Sequence, residues 1–224
     1  MPEQPLVSIV TPTLNQAGLI RETLESVRGQ DYPRLEHVVV DGGSTDATLD
    51  VLRSCGSALR WSSEPGLAQA AAVNRGWRST AGEIVGWLNS DDTYLPGAVR
   101  EAVAFLQAHP EVGVVYGDCD YVDAKGRMLR RYPTRAHDYQ ELVRHAVNYI
   151  PQPAAFVRRR VLEAAGCLDE SLDHAMDFDL WLRLGAARIV FRHLPLRLST
   201  MRLHPAAKSV RSLAGFAAEL VRVY

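Results

Sequence analysis

Cysteine is scarce in this 224-residue chain: Cys55, Cys119 and Cys167 are scattered and form no C-x-x-C pair. That excludes a disulfide framework and a cysteine zinc site, and it makes a reducing compartment the expectation. No apolar run approaches the roughly 20 residues a membrane span requires, so no transmembrane helix is expected. The opening "MPEQPLVSIV" has no basic stretch leading into a long apolar one, so no signal peptide is expected. Excess charge is missing as well. A net charge of −1 does not suit the chain to nucleic acid. These absences point to a soluble cytoplasmic protein, with peripheral contact at the inner face of a membrane left open.

Two glycine-rich signatures are also absent. A dinucleotide fold wants G-x-G-x-x-G directly after its first strand, and this chain offers "TPTLNQAG" there. No P-loop G-K-[S/T] occurs anywhere. Basic residues cluster locally at Arg130–Arg131 and Arg158–Arg160, where a phosphate, an anionic lipid or water alone are all open readings.

What is present is enough apolar sequence, 47%, to bury one sizeable core in a chain short for two full domains. We expect one domain over 1–224, with about 1–116 as one half and about 117–224 as a smaller elaboration. Apolar β-branched runs at 5–11, 35–41, 83–88 and 112–116 alternate with helical patterns at 19–27, 67–79 and 97–108; residues 58–64 add a candidate strand. A helix after the 35–41 strand should be capped near Ser44–Asp46. Such alternation calls for a mainly parallel, doubly wound sheet flanked by helices. Beyond it, 117–132 reads as a hairpin. Helices are expected near 138–147, up to about 165, at 177–185 and at 211–223, with two strands within 188–204.

Polar residues collect where the strands stop. Strand one runs into Thr11, Pro12, Thr13 and Asn15, and strand two stops at Asp41–Gly42–Gly43. The 83–88 strand stops at Asn89, Asp91 and Asp92, and Asp118 and Asp120 follow the 112–116 strand. In open α/β sheets ligands bind beyond such carboxyl ends, so convergence on one edge favours a site. Each ending also has a plainer reading as a turn or helix cap. Asp41 suits an acceptor for a nucleoside imide or hydroxyl. The adjacent pair Asp91–Asp92 must be solvated, paired or neutralised, and a divalent ion bridging to phosphate oxygens would relieve the repulsion.

The stretch "SIVTPTLNQAGLIRETLESVRGQDYPRLEHVVVDGGSTDAT", with "GEIVGWLNSDD" and "MDFDLWLRL" after it, resembles glycosyltransferase family 2, inverting enzymes of GT-A fold. The resemblance covers most of 5–205. It implies a Rossmann-like nucleotide-diphospho-sugar transferase fold and a nucleoside-diphosphate-sugar donor. It also implies a carbohydrate or lipid-linked acceptor hydroxyl, and Mn²⁺ or Mg²⁺ at an acidic DXD-type motif. Thr11, Pro12, Asn15 and Asp41 match positions lining the family's nucleoside pocket, and Asn74 is retained from its middle motif. Asp91 and Asp92 match its ribose- and metal-binding pair, and Asp177 matches its catalytic base. His204 matches a C-terminal stretch that closes over the diphosphate, sometimes with a metal-binding histidine. Lys208 on the same segment is a candidate phosphate partner, and Gln152, between two prolines, is a candidate for the border of the acceptor pocket or part of a rigid connector. Cell-surface polysaccharide or glycolipid synthesis is the implied setting. The Q-x-x-R-W motif of processive relatives is missing, so one sugar per encounter is expected.

Several positions depart from the pattern. Where the closest subgroup reads D-x-G-Q-x-D-A-x-N-x-G, this chain has "GLAQAAAVNRG" (66–76), placing Gly66, Ala68 and Ala71 where Asp, Gly and Asp are usual. Asn89 replaces an aspartate, and Met176 a glutamate. Altered donor choice is the expected consequence. The alternative is a catalytically impaired nucleotide-sugar-binding module that serves a partner enzyme. A nucleotidyltransferase shares the sheet and the metal but wants a basic loop at 12–18, which holds no Lys or Arg.

Overall fold

The computed structural model describes residues 4–205, 208 and 213–223. Nine strands form one sheet in the order β3-β2-β1-β4-β8-β6-β9-β5, with β7 pairing on β6. They are β1 (Val7–Thr13), β2 (Leu35–Asp41), β3 (Arg60–Ser63), β4 (Ile84–Trp87), β5 (Thr93–Tyr94), β6 (Val112–Val122), β7 (Met128–Arg131), β8 (Ala155–Arg158) and β9 (Val190–Arg202). Strands β3, β2, β1, β4, β6 and β9 point the same way, and β5, β7 and β8 run against them. The sheet is therefore mainly parallel, and its carboxyl ends share an edge.

The first half keeps the expected alternation. Helices α1 (Ile20–Arg28), α2 (Thr48–Ser54), α3 (Gln69–Arg78) and α4 (Ala98–Ala108) follow β1, β2, β3 and the β4–β5 segment. The N-cap of α2 is Ala47, which offers no side-chain cap, and Asp46 one residue earlier accepts from the Thr48 N–H at 2.9 Å. Helices α1 and α4 cover one face of the sheet with Val27, Val99, Ala102, Val103 and Leu106. Helix α3 covers the other face, joined by α5 (Tyr139–His145), α6 (Arg159–Ala164) and α7 (Met176–Ala186). Phe178, Trp181 and Leu184 of α7 are buried there. Each contributes about 1.5–3 kcal/mol. That apolar grip fixes the helix carrying Asp177. The closing helix is α8 (Leu213–Val223); residues 211 and 212, its expected start, lie outside the described residues.

Three local expectations change. Instead of two strands within 188–204 there is one long β9, whose pairing with β6 breaks between Gly117 and Asp118, opposite Leu194 and Arg197. Pro195 lies in that gap, where a missing N–H costs no ladder bond. Strand β6 runs to Val122 rather than stopping near 116, so Asp118 and Asp120 lie within it. They pair with His193 at 2.7 Å and Arg197 at 3.1 Å and belong to no strand-end site. The 158–160 arginines bind carbonyls: Arg158 reaches Val112 and Leu106, Arg159 reaches Gly82 and Trp77, and Arg160 reaches Pro110. Arg158 and Arg159 tie helix ends to the sheet and have their guanidinium groups occupied, while Arg160 stays exposed.

Candidate active site

Beyond the carboxyl ends of β1 and β4 lies a cleft of about 890 Å³. It is lined by Pro12, Asp91, Asp92, Gln152, Asp177 and Lys208 among the residues singled out from sequence. Thr11, Asn15, Asp41, Asn74 and His204 are not among its lining residues; the first four have structural tasks. Thr11 is fully buried, with its hydroxyl 2.9 Å from His37 Nε2. Burial pushes that imidazole down to about 4, so it stays neutral. Asn15, at φ 53°, accepts from the Thr45 and Asp46 N–H groups through Oδ1 and so braces the loop after β2. Asn74 is clamped to the Leu168 backbone in both directions and to Glu170.

Asp41 is the most tightly held of these residues. Its carboxylate is fully buried and accepts from Gly43 N and Ser44 N at 2.9 Å, from Ser63 Oγ at 2.6 Å, and from Ser44 Oγ. Burial opposes its charge, yet the Ser44 and Ser63 hydroxyls and the two N–H groups outweigh it and hold the carboxyl below its usual range. Three of these bonds fall on Oδ2 and one on Oδ1. The glycines explain the enclosure: a Cβ at Gly42 would lie 2.8 Å from the Leu67 carbonyl, and one at Gly43 2.5 Å from Pro65 Cα. The loop after β3 folds over Asp41, and only glycine admits so close an approach.

The acidic pair divides its work. Asp92 is 2% exposed; it accepts from Arg202 N at 3.0 Å and Asn89 Nδ2 at 3.3 Å. Burial, then the Asp91 charge, push its carboxyl well above the ordinary range. Asp91 instead turns to His204, with Oδ2 3.0 Å from Nε2. Adjacent donors around a Mn²⁺- or Mg²⁺-sized ion with bonds of about 2.1 Å lie about that far apart. Carboxylate oxygen with one imidazole suits Mn²⁺ completed by phosphate oxygens and water. Among the described residues no group of three or more His, Cys, Asp or Glu is arranged around one point, so ligand oxygens are required to finish any such site.

The departures from the family pattern also acquire reasons. Asn89 accepts from Gln69 Nε2 and Trp87 Nε1, both at 2.8 Å, and donates to Asp92 at 3.3 Å and Gln152 Oε1 at 3.2 Å. An aspartate cannot donate those last two bonds, and it would set another carboxylate against Asp92. Ala68 and Met176 line the cleft with apolar surface. Gly66 adopts φ +80° with no atom near its absent side chain, a turn conformation that does not suit a β-carbon.

Across the cleft stands Asp177, in the first turn of α7. Burial pushes its carboxyl up to about 6, against bonds from its own and Phe178's N–H and from Asn148. Asn148 Nδ2 donates to Asp177 Oδ2 at 2.8 Å, while its Oδ1 accepts from Ile150 N at 3.1 Å. Tyr132 donates its hydroxyl to the Asn148 carbonyl at 2.7 Å. Nothing in the pattern "AVNYIPQP" announced Asn148 as the residue that orients the base candidate. Lys208 contributes to the rim but is tied to Asp173. No described helix is long and apolar enough to cross a membrane.

A family model described as "Glycosyl transferase family 2" matches residues 8–166. The "O-antigen biosynthesis protein RfbC" of Myxococcus xanthus is 36% identical over 93% of this chain, which spans 16% of its length. An "Uncharacterized glycosyltransferase RT0329" of Rickettsia typhi is 30% identical over 90% of the chain, which spans 65% of it. Among solved structures, S. aureus TarS 1-349 in complex with UDP-GlcNAc superposes with TM-score 0.79 at 21% identity, over 97% of this chain and 65% of that one. A mannosyltransferase, PcManGT of Pyrobaculum calidifontis, in complex with GDP-Man and Mn²⁺, gives TM-score 0.73 at 25% identity over 99% and 65%. The chain thus spans less than two thirds of the length of each of these relatives, and the neighbours carry the GT-A fold.

Proposed function

Because the chain belongs to glycosyltransferase family 2, we propose that it transfers one sugar from a nucleoside-diphosphate-sugar to an acceptor hydroxyl, with inversion. The observation that carries this reading is Asp177 lining the same cleft as Asp91 and Asp92. With its carboxyl at about 6, Asp177 is ionised at neutral pH and basic enough to take a proton. The acceptor oxygen gives its proton to Asp177 Oδ and forms a bond to the anomeric carbon. The bond from that carbon to the diphosphate breaks on the opposite face, and the electron pair leaves with the nucleoside diphosphate. Asn148 fixes the Asp177 carboxylate for this transfer.

Asp91 and His204 would hold Mn²⁺ or Mg²⁺, which when bound supplies positive charge to the departing diphosphate. Asp92 braces that pair from below, through Asn89 and the Arg202 backbone. Donor complexes of the structural neighbours with UDP-GlcNAc and GDP-Man support a nucleotide-sugar donor here. The name of the Myxococcus xanthus relative supports cell-surface polysaccharide assembly, with a carbohydrate or lipid-linked acceptor. We place the whole reaction in a single domain built from 1–224, working in the cytoplasm. Retention of both Asp177 and the Asp91–His204 pair favours an enzyme over a binding module.

Two measurements test the reading. A thermal-shift panel of nucleotide sugars with Mn²⁺ should raise the melting temperature for at least one donor, and EDTA should abolish the shift. No shift for any donor at millimolar concentration overturns it. In steady state, kcat/KM should fall as pH drops through about 6, since Asp177 must be ionised in the free enzyme. A flat profile from pH 5 to pH 8 removes Asp177 from the role.

A further inference from the structure

Helix α7 has no side chain of its own at the N-cap position, Ala175. The N–H groups of residues 173–175, the segment that leads into the N-cap of α7 and lies just ahead of Asp177, need acceptors. The structure supplies them from a distant element. Glu219 of α8 accepts from Asp173 N through Oε1, and from His174 N and Ala175 N through Oε2, each at 2.8 Å. Three charge-assisted bonds from one carboxylate at a helix N-terminus form a strong and directional anchor. The same helix presents Phe216 to the cleft, with its ring 6.4 Å from Phe178 of α7. Arg222 adds a separate tie, Nη2 to Ser171 Oγ at 3.1 Å.

We infer that Glu219 is a positioning residue for the transfer reaction: it sets the first turn of α7 and thereby the place of the Asp177 carboxylate. This rests on the reading of Asp177 as the base. A peptide segment held by three bonds to one anion has little freedom to slide or rotate. Asp177 must meet Asn148 on one side and the acceptor hydroxyl on the other, so the height of that turn decides its aim. Nothing in the sequence links Glu219 to Asp177, because α8 is unrelated to the motif and meets α7 only in the folded chain.

The test is steady-state kinetics on Glu219→Gln, Glu219→Ala and Glu219→Asp, with Arg222→Ala as the control for loosening α8 without touching the three N–H groups. A misplacement of the order of 1 Å costs about 10²-fold, so Glu219→Ala should lose about that in kcat and Glu219→Gln about tenfold. The donor KM should change less than kcat, because Glu219 reaches the diphosphate side of the cleft only indirectly, through Asp173 and Lys208. Glu219→Asp, which keeps the charge, should recover activity relative to Gln. Arg222→Ala should keep kcat within about twofold of the parent, given the modest worth of one exposed hydrogen bond.

Unchanged kcat in folded Glu219→Gln overturns the inference. So does an equal loss in Arg222→Ala, or a loss expressed only in donor KM. Failure of all three Glu219 variants to fold overturns it too, since the carboxylate would then serve the fold. A parent protein that transfers from no donor defeats the reading of Asp177 instead, and that outcome is distinct from a working parent with indifferent Glu219 variants.

Discussion

Asp177→Asn is expected to lower kcat by about 10²–10⁴, the usual worth of general-base assistance, while making the protein more stable above pH 7. The two effects share one cause. Burial raises the folded carboxyl from 3.8 to about 6, so the fold favours the protonated form. Stability from this group is fully present below pH 3.8 and is lost as pH rises through about 6. Above that pH the ionised carboxylate costs about 1–3 kcal/mol, at 1.36 kcal/mol for each unit of displacement. Asparagine has the same shape, still accepts the Asn148 bond, and carries no charge to bury. Urea unfolding at pH 8 should therefore show the variant more stable than the parent, with the gap closed at pH 4. A variant that is slow and also less stable at pH 8 would mean that Asp177 holds the fold and is not strained for catalysis.

Asp177 stood out in the sequence only through the family resemblance, and nothing there announced its burial. Much of the architecture around it was more legible: alternating apolar runs and helical periods gave the order of elements through α4 except for the two-residue β5, which reads as a turn because it is so short. Strand β6 was read short because Asp118 and Asp120 look like turn residues. In the fold His193 and Arg197 pair with them from β9, a pairing made far away in sequence. The strand-end residues were legible as a group, but their directions were not. Pro12, Asp91, Asp92 and Asp177 line the cleft, whereas Thr11, Asp41 and Asn74 spend polar atoms inside the protein and Asn15 braces an exposed loop. Residue type and strand position cannot separate these cases. What separates them is which neighbour arrives first, and for Asp41 the neighbours are two serines and two N–H groups. Asn148, Glu219 and the amide cluster of Gln69, Asn89 and Gln152 left no periodic signal. They act through contacts between elements that only tertiary packing brings together.

Arg202 is the other residue whose loss should be felt most, and its effect should fall on stability. It ends β9, is 3% exposed, and joins four separate pieces of the site. Its guanidinium donates to the Asp91 carbonyl at 3.1 Å, to the Asp123 and Ala124 carbonyls at 3.3 and 3.0 Å, and to the Glu22 carboxylate on α1. Removing it leaves half-buried carbonyls at the acidic motif and at the β6–β7 turn without their donor. Arg202→Met, which keeps most of the volume, is expected to cost about 1–3 kcal/mol, as when polar groups lose a hydrogen-bond partner. Glu22→Gln should cost less than about 1 kcal/mol, because that carboxylate is 56% exposed and water replaces its bond. Chemical denaturation of both variants checks the asymmetry. Comparable losses would locate the energy in the ion pair itself. A large loss for Arg202→Met alone locates it in the carbonyls that hold Asp91 in place, and then the variant that does fold should also bind Mn²⁺ and donor more weakly, since the backbone of Asp91 is no longer tied to β9.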